Sequence, residues 1–248
     1  MNNLAALSIR ELKALWYSPI AYVVGGLFLL MQGGVFGLLI YVLNDPRVDP
    51  GLTISQFFFG GTFFYWFSAL ITAPLLTMRT FSEEKRTGTI EMLLTAPVTD
   101  AQVVLSKFLG AWLIYVALWT CTLVFFVILR THTAFAWGPV VVGYLGTILF
   151  GAVLIGVGVL ASSLTRNQVI AAVLSFVALL FLFSIGLLDI FIRDTESAKI
   201  IRYLSVTEHL SDFSKGILDT RPIVFYLSVT AIVVFVTGRV VGSPRWRA

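Results

Sequence analysis

Residues 139–164 read PVVVGYLGTILFGAVLIGVGVLASSL, an apolar run without one charged side chain. A hydrocarbon layer about 30 Å thick is crossed by about 20 helical residues at 1.5 Å each, so this run is long enough to span a bilayer. Lipid offers no water to unpaired backbone amides, and a run this long without polar alternation does not fit a barrel strand. A transmembrane helix follows. Outward from it, five further stretches share the character: Ile20 to Leu43, Phe57 to Met78, Phe108 to Leu129, Gln168 to Leu188 and Ile223 to Val241. The expected fold is all-α, a polytopic membrane protein with six transmembrane helices in a single domain over residues 1–248.

Composition agrees. Of 248 residues, 58% are hydrophobic and 12% charged, and the mean hydropathy is +0.93, so lipid is the principal solvent. The formal charge is +4, but the basic residues are scattered between apolar runs and form no stripe, which argues against a nucleic-acid partner. The single cysteine, Cys121, excludes a disulfide framework or a Cys-rich metal site. The first apolar stretch exceeds the core of a cleaved signal peptide and reads as a retained span.

Six spans place both termini on one side. Arg10, Lys13, Arg79, Lys85, Arg86, Lys107, Arg166, Arg239, Arg245 and Arg247 lie on that side, against Arg47, Arg130, Arg193, Lys199, Arg202, Lys215 and Arg221 opposite. Setting aside the long 189–222 segment leaves only Arg47 and Arg130 outside. The positive-inside rule then predicts cytoplasmic termini and a multi-pass protein of the cell (inner) membrane.

Three segments carry structure of their own. In residues 1–19, Leu4, Leu7, Leu12 and Leu15 alternate with Ser8, Arg10, Glu11 and Lys13 at a period suited to an amphipathic helix in the inner interface, the alternative being a frayed terminus. The inner loop 79–107 is the most polar stretch. The outer segment 189–222 is too apolar for a free loop and is expected to fold back as short helices. Trp16, Tyr17, Tyr22 and Trp137 suit interfacial anchoring.

Chemistry is notable for what is missing. No phosphate-binding glycine loop exists, so any ATPase must be another polypeptide and no cofactor is expected in this chain. His132 and His209 fall in outer segments and read as surface residues. Ser162 and Ser163 lack a nearby base and read as helix caps. No ionisable residue falls mid-span, and Asp189 and Arg130 sit at span ends, so a proton path is not supported.

Glycines recur in the first span (Gly25, Gly26, Gly33, Gly34, Gly37) and the fourth (Gly143, Gly146, Gly151, Gly156, Gly158), beside Ala152. Close packing inside the subunit, dimer packing and a flexible gate all fit this pattern. Pro74 is expected to kink the second span near its inner end.

From Ser82 the inner loop reads SEEKRTGTIEMLLTAPVTDAQVVLSKF. Ile90, Leu93 and Leu94 share one helical face opposite Glu91, and Ala96-Pro97 ends the helix. A partner-docking helix and a solvated connector both fit these residues.

Glu83, Lys85, Gly88, Thr89, Glu91, Leu93, Leu94 and Pro97 match E-x-K-x-x-G-T-x-E-x-L-L-x-x-P, and in this the chain resembles the type-2 ABC permeases. The likeness extends to the amphipathic N-terminus, the six spans, the SSLTRNQ turn and the outer YLSVTEHLSDFSKGILD segment. Within that branch it is most similar to the gliding-motility-associated permeases, with the nitrous-oxide-reductase maturation permeases near. The resemblance implies a cytoplasmic coupling helix over about Glu83 to Thr95. Glu83, Glu84, Lys85, Arg86, Gly88, Thr89, Ile90, Glu91, Leu93 and Leu94 would meet an ABC ATPase subunit that binds ATP and Mg. It implies a second permease, identical or related, and short outer re-entrant helices closing the pathway, with Tyr203, Leu204, His209 and Phe213 as gate candidates. The function implied is an exporter permease, not itself an enzyme. The alternative is a membrane scaffold that passes ATPase strokes to an extracytoplasmic domain partner without moving solute. The aromatics of the second span, Phe57, Phe63, Tyr65 and Trp66, assign no substrate.

Overall fold

The computed structural model of the chain describes residues 3–44, 54–89, 98–187, 203 and 205–243. These residues contain six helices long and apolar enough to cross a membrane, and no strand.

An interfacial helix, Asn3–Trp16, comes first. It lies against the third span where Gly110 has no side chain; a Cβ there would sit 3.0 Å from that of Glu11. Leu12 and Leu15 reach the core, so the amphipathic reading holds over the frayed one. The first span, Pro19–Leu43, opens on extended Ser18 with Pro19 preset for the first turn. Trp16, Tyr17, Tyr22 and Trp137 are exposed, as interfacial anchors require.

The second span is not the single helix expected from Phe57 to Met78. Phe59 and Gly60 leave helical geometry, Gly60 at φ +123, where a side chain would strain the backbone. A regular helix runs only from Phe63 to Thr77, continuing through Pro74. Aromatic packing explains the break. Phe58 and Phe59 turn into a cluster with Phe36, Phe126, Trp119 and Tyr144, and Trp66 Nε1 donates to the freed Gly60 carbonyl at 3.0 Å.

The third span starts eight residues earlier than hydropathy indicates, at Asp100. Thr99 and Gln102 form a reciprocal cap: Thr99 Oγ1 accepts from the Gln102 amide and Gln102 Oε1 from the Thr99 amide. Hydropathy registers only the lipid-facing part of a helix that begins in the interface. It breaks at Thr122, whose hydroxyl bonds the Trp119 carbonyl and Tyr144 Oη, and resumes over Leu123–His132.

The fourth span, Trp137–Ser163, is the most buried of the six. Its glycines are contact points within the subunit. A Cβ at Gly143 would lie 2.4 Å from Phe59, at Gly146 2.5 Å from Phe213, at Gly151 2.0 Å from Tyr115 and at Gly158 2.1 Å from Thr77. Backbone approach of this kind lets helices associate where lipid supplies no hydrophobic drive. The first span differs: Gly33 meets Phe125, but Gly26, Gly34 and Gly37 face open space. The fifth span, Gln168–Leu187, and the sixth, Thr220–Val241, complete the bundle. The outer helix, Val206–Ser214, lies between them in sequence and packs on the fourth span.

Candidate functional site

The chain leaves the second span through a tight turn at Met78–Phe81 and enters a six-residue helix, Ser82–Thr87. Helix starts carry amides without intrahelical partners. Here Ser162, from the end of the fourth span, meets that need: its Oγ accepts from the amides of Phe81 (3.1 Å) and Ser82 (3.2 Å) and donates to the Met78 carbonyl at 3.1 Å. One donated and two accepted bonds exhaust a hydroxyl. Ser162 is thus a cap, as its sequence context indicated, but of a helix other than its own.

The charged residues of this short helix divide by direction. Glu83 Oε2 accepts from Gln168 Nε2 at the start of the fifth span, and Gln168 Oε1 accepts from Arg79 Nε at 3.0 Å. Lys85 Nζ donates to the Ser163 carbonyl at the end of the fourth span, where the helix dipole favours a cation. Burial, and then the nearby Arg166 charge, pull the Lys85 ammonium down to about 8.

Glu84 points the other way, into a chain of charges. Lys107 Nζ lies 2.7 Å from Glu84 Oε1 and 3.2 Å from Glu11 Oε2, and Arg10 completes the chain at 2.8 Å from Glu11 Oε1. The Lys107 side chain is 1% exposed and its ammonium sits 5.3 Å from the centre of the Phe81 ring. An unpaired buried ammonium costs several kcal/mol, so two carboxylates at one cation are what permit this burial. Sequence alone counted Lys107 as a loop cation. The structure places it inside the third span's helix, because that helix starts at Asp100.

Glu11, Lys107, Ser162 and Gln168 therefore tie one six-residue helix to the interfacial helix and the third, fourth and fifth spans. Sequence reasoning picked none of these four as functional. The signals were a lysine and a serine abutting apolar runs and a glutamine opening one.

Beyond Glu83, Glu84 and Lys85 the helix turns outward. Arg86, Thr87, Gly88 and Thr89 are exposed, with Arg86 held at 2.7 Å from Glu83. Gly88 ends the helix at φ +74, a left-handed conformation that favours glycine. The expectation of one helix from Glu83 to Thr95 is corrected on this point. Ile90, Glu91, Leu93 and Leu94 lie outside the described residues.

The outer gate candidates separate. Phe213 is buried against Gly146 and stacks on Tyr226. His209 is half-buried, bonds the Tyr203 carbonyl at 3.0 Å and lies 4.4 Å from the Phe225 ring, while Tyr203 is exposed. Leu204 lies outside the described residues. Among the described residues no cluster of His, Cys, Asp or Glu is arranged to hold a metal.

A family model described as ABC-2 family transporter protein matches residues 8–243. No curated protein sequence matches the chain.

Proposed function

The chain belongs to the ABC-2 family of transporter proteins, and on that premise we propose that this membrane permease subunit is an exporter half, driven through the helix Ser82–Thr87 by a separate ATPase. The ATPase subunit supplies the ATP and Mg sites. A second permease, identical or related, completes the pathway, and both termini face the cytoplasm across the inner membrane.

The observation that carries this reading is the bracing of Ser82–Thr87 to four other elements while Arg86 to Thr89 stay exposed. A push delivered at a loose loop is absorbed by the loop. Delivered at a helix whose first amides, two carboxylates and one ammonium are tied to other elements, it moves the spans. Glu83, Glu84 and Lys85 support this as anchors on the permease side, and Arg86, Thr87, Gly88 and Thr89 as the face offered to the ATPase.

The test uses Arg86→Glu with Thr89→Arg in the complex purified from membranes. Arg86 makes only an exposed ion pair, so the loss in permease stability is about 0–1 kcal/mol. Recovery of the ATPase with the permease is expected to fall at least roughly tenfold. Undiminished recovery together with undiminished transport would falsify the assignment of this face.

A further inference from the structure

The interfacial helix Asn3–Trp16 has two faces, and the inner site uses only one. Leu12 and Leu15 reach the core, and Glu11 lies against Gly110 and pairs with Lys107. With about 3.6 residues per turn, Ile9, Lys13 and Trp16 fall together on a different side, flanked by Arg10 and Tyr17. All five are exposed.

The path of the chain says what covers this face. Only Tyr17 and Ser18 separate the helix from the first span, which opens at Pro19, and Ser18 is extended, so the backbone changes direction there. The third span takes the other side of the helix. What remains for Ile9, Lys13 and Trp16 is the boundary of the bilayer, where indole and phenol rings settle among headgroups and an aliphatic side chain dips toward the acyl chains.

The charge of the face has one sign. Glu11 is the only acid of the helix, and it is turned to Lys107. Lys13 makes no ion pair among the described residues, and Arg10 gives one nitrogen to Glu11, which leaves further N–H donors on its guanidinium. Residues three apart are neighbours on a helix surface. An ammonium and a guanidinium therefore stand side by side at headgroup depth, where an anionic leaflet attracts both.

We propose that this face binds an anionic phospholipid of the leaflet on the side of the chain termini, with its phosphate between Lys13 and Arg10 and its acyl chains beside Ile9 and Trp16. Bound there, the lipid fastens the helix that carries Glu11, and with it one end of the Glu11–Lys107–Glu84 chain. The site needs neither the ATPase nor a particular substrate.

Hydrogen exchange of the full chain in nanodiscs tests it, with phosphatidylcholine alone or mixed with phosphatidylglycerol of identical chains as the probe. In the mixed bilayer, exchange across residues 3–16 is expected to slow about tenfold, while exchange across Val206–Ser214 stays as it is. Lys13→Gln with Arg10→Gln abolishes the slowing, and Lys13→Arg keeps it. On wild type, about 1 M salt also abolishes it, since charges are then screened beyond about 3 Å. Equal exchange of residues 3–16 in the two bilayers overturns the proposal. So does slowing that survives the double substitution or the salt, and so does slowing of Val206–Ser214 to the same degree, which marks a change in the whole bundle.

Discussion

The two ends of the bundle are fastened by different chemistry. At the inner end, Ser82–Thr87 is held by directional contacts: two amides on Ser162, a carboxylate on Gln168, an ammonium on the Ser163 carbonyl and the Glu84–Lys107–Glu11 chain. At the outer end, Val206–Ser214 is held mainly by shape. Val206, Leu210 and Phe213 are buried, Phe213 fills the space left by Gly146, and among the described residues the helix's bonds to other segments are from Tyr226 Oη to the Val206 carbonyl at 2.7 Å and between His209 Nε2 and the Tyr203 carbonyl at 3.0 Å. Hydrogen bonds and ion pairs specify one register, whereas apolar contact is non-directional and survives small shifts. Directional contacts therefore fix the inner helix, whereas close fit of buried side chains holds the outer one.

The strongest way to break the contrast is Lys107→Met. It leaves half-buried Glu84 without its cation and Glu11 with Arg10 alone, an expected loss of about 3 kcal/mol, read as a lower melting temperature in detergent and release of the interfacial helix to protease. Adding Glu84→Gln and Glu11→Gln is expected to restore part of it, which separates lost charge balance from lost packing.

At the other end, Gly146→Val drives a side chain into Phe213. The expected loss is about 3 kcal/mol, with protease sensitivity rising around Val206–Ser214 and unchanged at the inner loop. Equal sensitivity at both ends would show that the two fastenings are one cooperative unit.

Ser162→Ala removes the acceptor shared by the Phe81 and Ser82 amides. The expected cost is about 2 kcal/mol, and the informative readout is ATPase activity that no longer responds to transport conditions while the complex stays assembled.

The smallest effect is one of pH. Lys85 is pulled down to about 8 from an unfolded value near 10.4, so between these values the unfolded chain binds more protons and stability rises with pH. That contribution is complete above the unfolded value and is lost as pH falls through about 8. Melting temperature is expected to climb over that window in wild type and to lose this component in Lys85→Met.

Much of the inner site was half legible. The Glu83 to Thr89 stretch was singled out, and Gly88 behaves as a helix-ending glycine does. Its anchors were not, because Glu11, Lys107, Ser162 and Gln168 come from stretches 157 residues apart at their extremes, and periodicity sees only neighbours on one element. The same limit hid the break at Phe59 and Gly60. Hydropathy reads FFFGG as span, while the ring cluster that turns it out of helix comes from the first, third and fourth spans. The glycine question was resolved only for the fourth span, by what stands opposite each glycine.

What the sequence by itself determined is the set of six spans and the polar inner loop, since bilayer thickness and the cost of unpaired amides act on each segment separately. Only the tertiary structure decided which charges of that loop face inward and which outward. Lys85 and Lys107 are buried, while Arg86, carrying the same charge, is exposed. Charge is a property of the residue, but its burial depends on whether a carboxylate or carbonyl from a distant segment arrives beside it.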